Sequence, residues 1–221
     1  MENLIINKEV RSVSGFNSVK FKAVGKLIIT QGAQESLIIQ ADQEIRARIH
    51  TDVIEGVLII SYDADWKDWT GFRLVDKGPT VYNLTMKEIK SLAISGVGSL
   101  DAAEITSDAL TLNLAGPGAM TIGTLKVNSL IVDMSGVGSI DVAGTCLDQN
   151  VVLSGAGNYK SSRLESERTS VKLSGVGNAT VWANQSLDAH ISGAGAVEYY
   201  GNAKITQKVS GIGMLKYLGN R

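Results

Sequence analysis

The sequence predicts an all-β solenoid, a coil of short strands that climbs a rod axis and stacks on copies of itself. Three observations carry the prediction. A Ser-Gly-x-Gly tetrapeptide recurs seven times, one copy opening with Ala. Apolar and polar residues alternate with a period of two on both sides of the copies. The chain also holds 24 glycines against 2 prolines, with no apolar stripe of helical period between copies.

The corners come first. The glycine pairs are Gly96 and Gly98, Gly116 and Gly118, Gly136 and Gly138, Gly155 and Gly157, Gly175 and Gly177, Gly193 and Gly195, and Gly211 and Gly213. Successive first glycines lie 20, 20, 19, 20, 18 and 18 residues apart. A repeat of this length with a fixed corner predicts about seven coils, each resting on the next at the spacing of paired strands, about 4.8 Å. Glycine is expected at the corner for a tight turn with positive φ where a Cβ would clash. Ser95, Ser135, Ser154, Ser174, Ser192 and Ser210, interrupted by Ala115, are expected to form an internal hydrogen-bonding ladder beside it.

The strands follow from the flanks. Before the motif stand Ile94, Leu114, Met134, Leu153, Leu173, Ile191 and Val209, with Leu92, Leu112, Val132, Val151, Val171, Ala189 and Gln207 two residues earlier. After it come Leu100, Met120, Ile140, Tyr159, Ala179, Val197 and Leu215, each followed by a polar residue such as Asp101, Asp141 or Lys160. In-out-in alternation on either side of a corner means two strands per coil, with inward residues piled into an apolar core. Tyr199, Tyr200 and Tyr217 fall in matching places of the last two coils, where stacked rings would stiffen the tip.

Residues 1–79 lack the motif and are read as an N-terminal β region, continuous with or capping the repeat solenoid of residues 80–221. Strand candidates there are Val19–Val24, Lys26–Thr30, Ser36–Gln40 and Val57–Ile60, punctuated by Gly25, Gly32 and Gly56. A solenoid needs such a cover because its terminal strand edge is otherwise open. The least regular stretch, residues 62–72, carries the one candidate ligand patch: Tyr62, Asp65, Trp66, Asp68 and Trp69, rings and acceptors that suit a sugar.

Other chemistry is sparse. No Gly-x-Gly copy extends to a nucleotide-binding loop or opens a helix, and the period is about twice that of calcium-binding nonapeptide rolls. Asp101, Asp133 and Asp141 are paired-carboxylate candidates on an outer face, but no His, Arg or Lys accompanies them at a matching position, and solvated side chains are the expectation. His190 is expected outside. Cys146, the single cysteine, is expected buried and inert. No catalytic residue, cofactor or metal site is assigned. With 21 Lys+Arg against 22 Asp+Glu, no basic face for nucleic acid is implied. No apolar run is long enough for a membrane span, and Met1 to Ile6 does not read as a secretory leader.

The repeated corners, the opening Val10-Arg11-Ser12-Val13-Ser14-Gly15-Phe16, and the approach from Val81-Tyr82-Asn83-Leu84-Thr85 to Leu92-Ala93-Ile94-Ser95-Gly96 carry a resemblance. Over residues 10–218 the chain resembles the putative auto-transporter adhesin, head-GIN domain family. The resemblance implies a right-handed parallel β-helix and an exported bacterial protein in the periplasm or at the cell surface, and it supplies no catalytic motif. A non-enzymatic adhesin-like or envelope structural protein is therefore expected, with a carbohydrate-binding or polysaccharide-cleaving β-helix as the alternative. The partner is expected to be a surface protein or a glycan, with association into homo-oligomers through the solenoid ends.

Overall fold

A computed structural model of the 221-residue chain describes residues 7–63 and 78–221. The strands are β1 (Asn7–Arg11), β2 (Ser18–Lys22), β3 (Val24–Gln31), β4 (Ser36–Ala41), β5 (Ile49–Ile54), β6 (Val57–Tyr62), β7 (Val81–Met86), β8 (Ser91–Ile94), β9 (Val97–Leu114), β10 (Pro117–Met134), β11 (Val137–Leu153), β12 (Ala156–Leu173), β13 (Val176–Ile191), β14 (Ala194–Tyr200), β15 (Lys204–Val209) and β16 (Ile212–Tyr217). The one helix among the described residues, α1 (Gln43–Arg46), is capped by the Asp42 side chain, which accepts from the Glu44 N–H at 2.9 Å.

From β8 onward the fold is a parallel solenoid. Each of β9 to β13 wraps from one corner to the next, so that Gly98, Gly118, Gly138, Gly157, Gly177, Gly195 and Gly213 stand in one aligned column. The rod has about six turns rather than the expected seven, because seven corners bound six complete coils and β16 only begins another. The inward columns are buried, as period-two alternation requires: Leu100, Met120, Ile140, Tyr159, Ala179 and Val197 are all at most 1% exposed.

The glycines are needed chiefly because backbone rests on backbone. A Cβ added at Gly136 would collide with the Gly116 carbonyl one rung below, and the same collision repeats up the column. Positive φ, the expected reason, holds at Gly138 (152°), Gly177 (148°) and Gly195 (153°) but not at the first glycine of any pair. The serine ladder is corrected too. Those serines are exposed rather than internal. The corner backbone is satisfied by backbone: the N–H groups of Ser135 and Gly136 both donate to the Leu114 carbonyl (3.1 and 2.8 Å), and the pattern recurs at each corner.

The N-terminal region is interlaced with the rod. Strand β2 lies between β6 and β8, and β3 between β7 and β9, all parallel. Thus β2 and β3 form a rung whose corner, Lys22-Ala23-Val24-Gly25, aligns Val24 with Val97 and Gly25 with Gly98. Below it lies the rung of β6 and β7. Its outer edges are covered by antiparallel strands, β5 on β6 and β4 on β7, and β1 adds antiparallel to β4. One continuous apolar core runs through these layers, with Phe21 and Tyr82 packed edge to face at 5.0 Å between ring centres.

Candidate interaction surface

The corner that glycine makes narrow also pushes one side chain outward in every rung. This residue, the x of Ser-Gly-x-Gly, is Val97, Pro117, Val137, Ala156, Val176, Ala194 and Ile212, and Val24 fills the place in the β2–β3 rung. All eight are apolar and all are exposed, Val137 at 61%, Val176 at 64% and Ile212 at 90%. Fixed by strand pairing, they make a straight ridge about 34 Å long at roughly 4.8 Å per rung. On one side runs the exposed serine column; on the other stand Ser99, Ala119, Ser139, Asn158, Asn178, Ala196 and Met214. Above the Lys22 and Lys26 rung none of these three columns holds a charge. Sequence reasoning saw these positions only as spacers between glycines; their unbroken apolar character was the available signal.

A second feature crosses four rungs on another face. Ser129, Asp148, Asn150, Arg168, Ser170, Ser186 and Asp188 line a shallow groove of about 330 Å³. The Arg168 guanidinium donates to both Asp148 oxygens (2.6 and 2.8 Å). That contact holds the Asp148 carboxyl below its ordinary range, and the carboxylate in turn raises Arg168. The floor is Gln149 and Thr169, which belong to a buried polar network inside the rod. The Gln149 amide donates to the Tyr159 hydroxyl (2.6 Å) and Ser161 (3.0 Å), while Ser166 meets Thr169 (2.6 Å) and donates to the Trp182 carbonyl (2.5 Å). Burial pushes the Tyr159 phenol well above its usual range. Nothing in the sequence pattern flagged these inward polar residues; Gln149 and Thr169 are neighbours in one column that is apolar above and below them, at Leu187 and Leu130.

The residues singled out from sequence are scattered. Of the patch at residues 62–69 only Tyr62 is described; the Arg48 guanidinium lies 4.9 Å from its ring centre, and Asp65, Trp66, Asp68 and Trp69 lie outside the described residues. Tyr62 also lines a hollow of about 200 Å³ with Val24, Gly25, Ile45, Pro79 and Thr80. Asp101 pairs with Lys26 at 2.5 Å and Asp141 with Arg163 at 3.2 Å, two rungs apart in one column, while Asp133 stands on another face. The three are not brought together. His190 is exposed beside Asp188 at 3.3 Å. Cys146 is buried, and burial pushes its thiol up to about 12. Among the described residues no cluster of His, Cys, Asp or Glu is placed to hold a metal, and no helix is long and apolar enough to cross a membrane.

The comparisons with known proteins agree with this architecture. A putative adhesin from Bacteroides fragilis superposes with a TM-score of 0.87 at 25% identity, over 96% of this chain and 97% of that one. A putative lipid binding protein from Parabacteroides distasonis (TM-score 0.67, 22% identity, 96% and 97% covered) and a putative adhesin from Parabacteroides merdae (0.66, 18%, 96% and 96%) share the fold. A search of curated protein sequences gives no match. The family model described as putative auto-transporter adhesin, head GIN domain, matches residues 15–203, and the chain belongs to that family.

Proposed function

We propose that the protein is a non-enzymatic, exported bacterial adhesin-like rod that works by presenting its side, and that the aliphatic ridge from Val24 to Ile212 is the contact surface. The observation that carries this reading is the ridge itself: eight exposed apolar residues in line, flanked mainly by hydroxyl, amide and methyl groups. A contiguous exposed apolar strip is costly in a soluble protein and marks an interaction site. Its rigidity matters equally, because each rung is fixed by backbone pairing and little order is lost on binding. Membership of an adhesin family and the adhesin-named structural relatives support the same reading.

The test is attachment to host or bacterial envelope surfaces by the displayed protein, with and without Val97→Ser, Val137→Ser and Val176→Ser combined. These side chains touch solvent, so thermal stability should stay within a few degrees while attachment falls by about tenfold or more, as for loss of an interface centre. Unchanged attachment by the triple variant would remove the ridge from the mechanism. Binding to a glycan array through the Asp148–Asp188 groove, abolished by Arg168→Ala and untouched by the valine changes, would replace it with the carbohydrate-binding reading.

A further inference from the structure

The two ends of the rod differ. Among the described residues nothing pairs with the outer edges of β15 and β16. Inward positions that are buried one rung below, Leu187, Ala189 and Ile191, are followed here by Ile205, Gln207 and Val209, and Val209 is 44% exposed. Two outward positions of β15 are basic: Lys204 and Lys208 face solvent with Thr206 between them, while Lys216 pairs with Glu198 of the rung below and Arg221 reaches down to the Ser162 carbonyl and the Tyr200 ring.

Elsewhere the rod places opposite charges on adjacent rungs: Lys126 meets Glu104 at 3.4 Å, Arg163 meets Asp141 at 3.2 Å, and Lys216 meets Glu198 at 3.5 Å. By that rule a strand laid on β15 would be acidic on its outer side and aliphatic on its inner side. From these charges and the free backbone edge we infer that β15 is a strand-addition site for an extended segment of another protein in which acidic and aliphatic residues alternate. Acidic side chains would stand over Lys204 and Lys208, aliphatic ones would close the core over Ile205 and Val209, and main-chain hydrogen bonds would supply affinity.

A second copy fits less well at either end. Two C-terminal ends would bring Lys204 and Lys208 of both copies together, four like charges. The N-terminal end is stepped, since β1 covers β4 while nothing among the described residues covers β5, so β15 and β16 cannot both pair with it. A bilayer would leave the free N–H and C=O groups of the edge without strand partners. The site lies at the tip and stands whether or not the sides of the rod adhere.

The probe is a fluorescein-labelled heptapeptide of alternating Glu and Val, Glu at both ends, titrated with the whole protein by fluorescence anisotropy. Binding is expected to weaken with added salt. It should fall by about tenfold or more for a block peptide of the same composition and for one N-methylated at alternate residues, as strand pairing with charge matching requires. Lys204→Glu combined with Lys208→Glu should reverse the preference toward a Lys-Val peptide; both side chains are solvent-facing, and circular dichroism checks the fold. Equal binding of the block peptide, no binding of any peptide, or binding only to vesicles containing anionic lipid would each overturn the inference. So would sedimentation showing that the protein occupies this end by self-association.

Discussion

The middle of the rod and its ends are built from the same kind of strand, yet they hold together differently. In the middle, each rung is gripped from both sides, backbone on backbone at the corner and side chain on side chain inside. At the N-terminal end, antiparallel β4, β5 and β1 finish the sheet by reversing direction. At the C-terminal end β15 and β16 rest on one neighbour only. A repeat is therefore demanding where it is flanked twice and permissive where it is flanked once. The corner of the β2–β3 rung fits this: Ala23 stands where other rungs have their first glycine, and among the described residues no matching corner lies beneath it.

The sharpest way to break the comparison is a Cβ in the middle column. Gly136→Val is expected to cost about 4 kcal/mol or more, or to prevent folding, because backbone must separate from backbone. Gly56→Ala, in the β5–β6 turn, meets open space but has φ of +77°, and should cost about 1 kcal/mol. Urea denaturation of both variants measures the gap. Next in size, Leu112→Ala in the doubly flanked core should cost about 2–5 kcal/mol, while the half-buried Leu215→Ala at the open end should cost under about 1 kcal/mol. Equal losses would mean that the last rung is as well packed as the rest.

A smaller effect reads the middle through pH. The Cys146 thiol titrates near 9.0 when exposed and is pushed up to about 12 in the fold. Below pH 9 it is protonated in both states and costs nothing. Between 9 and 12 only the unfolded chain loses the proton, so stability should fall by up to about 1.4 kcal/mol per pH unit and level off above 12. Urea midpoints from pH 8 to 11 test this; Cys146→Ser should flatten part of the slope, and native Cys146 should resist a thiol reagent that labels it in urea. The smallest expected change is at the surface: Arg168→Gln removes an exposed pair with Asp148, and the midpoint at pH 7 should not move beyond scatter.

Much of the rod was legible because each rung repeats the same physical problem. Leu92, Ile94 and Leu100 recur in kind at every coil but the last, where Gln207 takes the first of these places, and the corner glycines mark where the columns align. What stayed hidden is singular. Strands β1 and β5 are edges: Asp52, Val53 and Ile54 are all exposed, so the in-out alternation that betrays a strand fades there. The slotting of β6 and β7 beneath β2 and β3 depends on partners far apart in sequence, which no local pattern encodes. The serines looked internal because they sit beside glycine, yet the backbone satisfied itself and left them outside. The candidate ridge was in plain view as the variable letter of the motif, but exposure cannot be read from a residue that breaks the alternation at a corner.

The interlaced N-terminal layers have a consequence for how the molecule is made. Strands β2 and β3 leave the ribosome before their partners, but each needs a neighbour on both sides, and those neighbours extend to Ile94 on one wall and Ala102 on the other. Until that length has emerged, Phe21 and Leu27 have nowhere to hide. These strands are thus obliged to wait for partners made after them, and a chaperone that meets the growing chain would meet it with those strands still unspoken for.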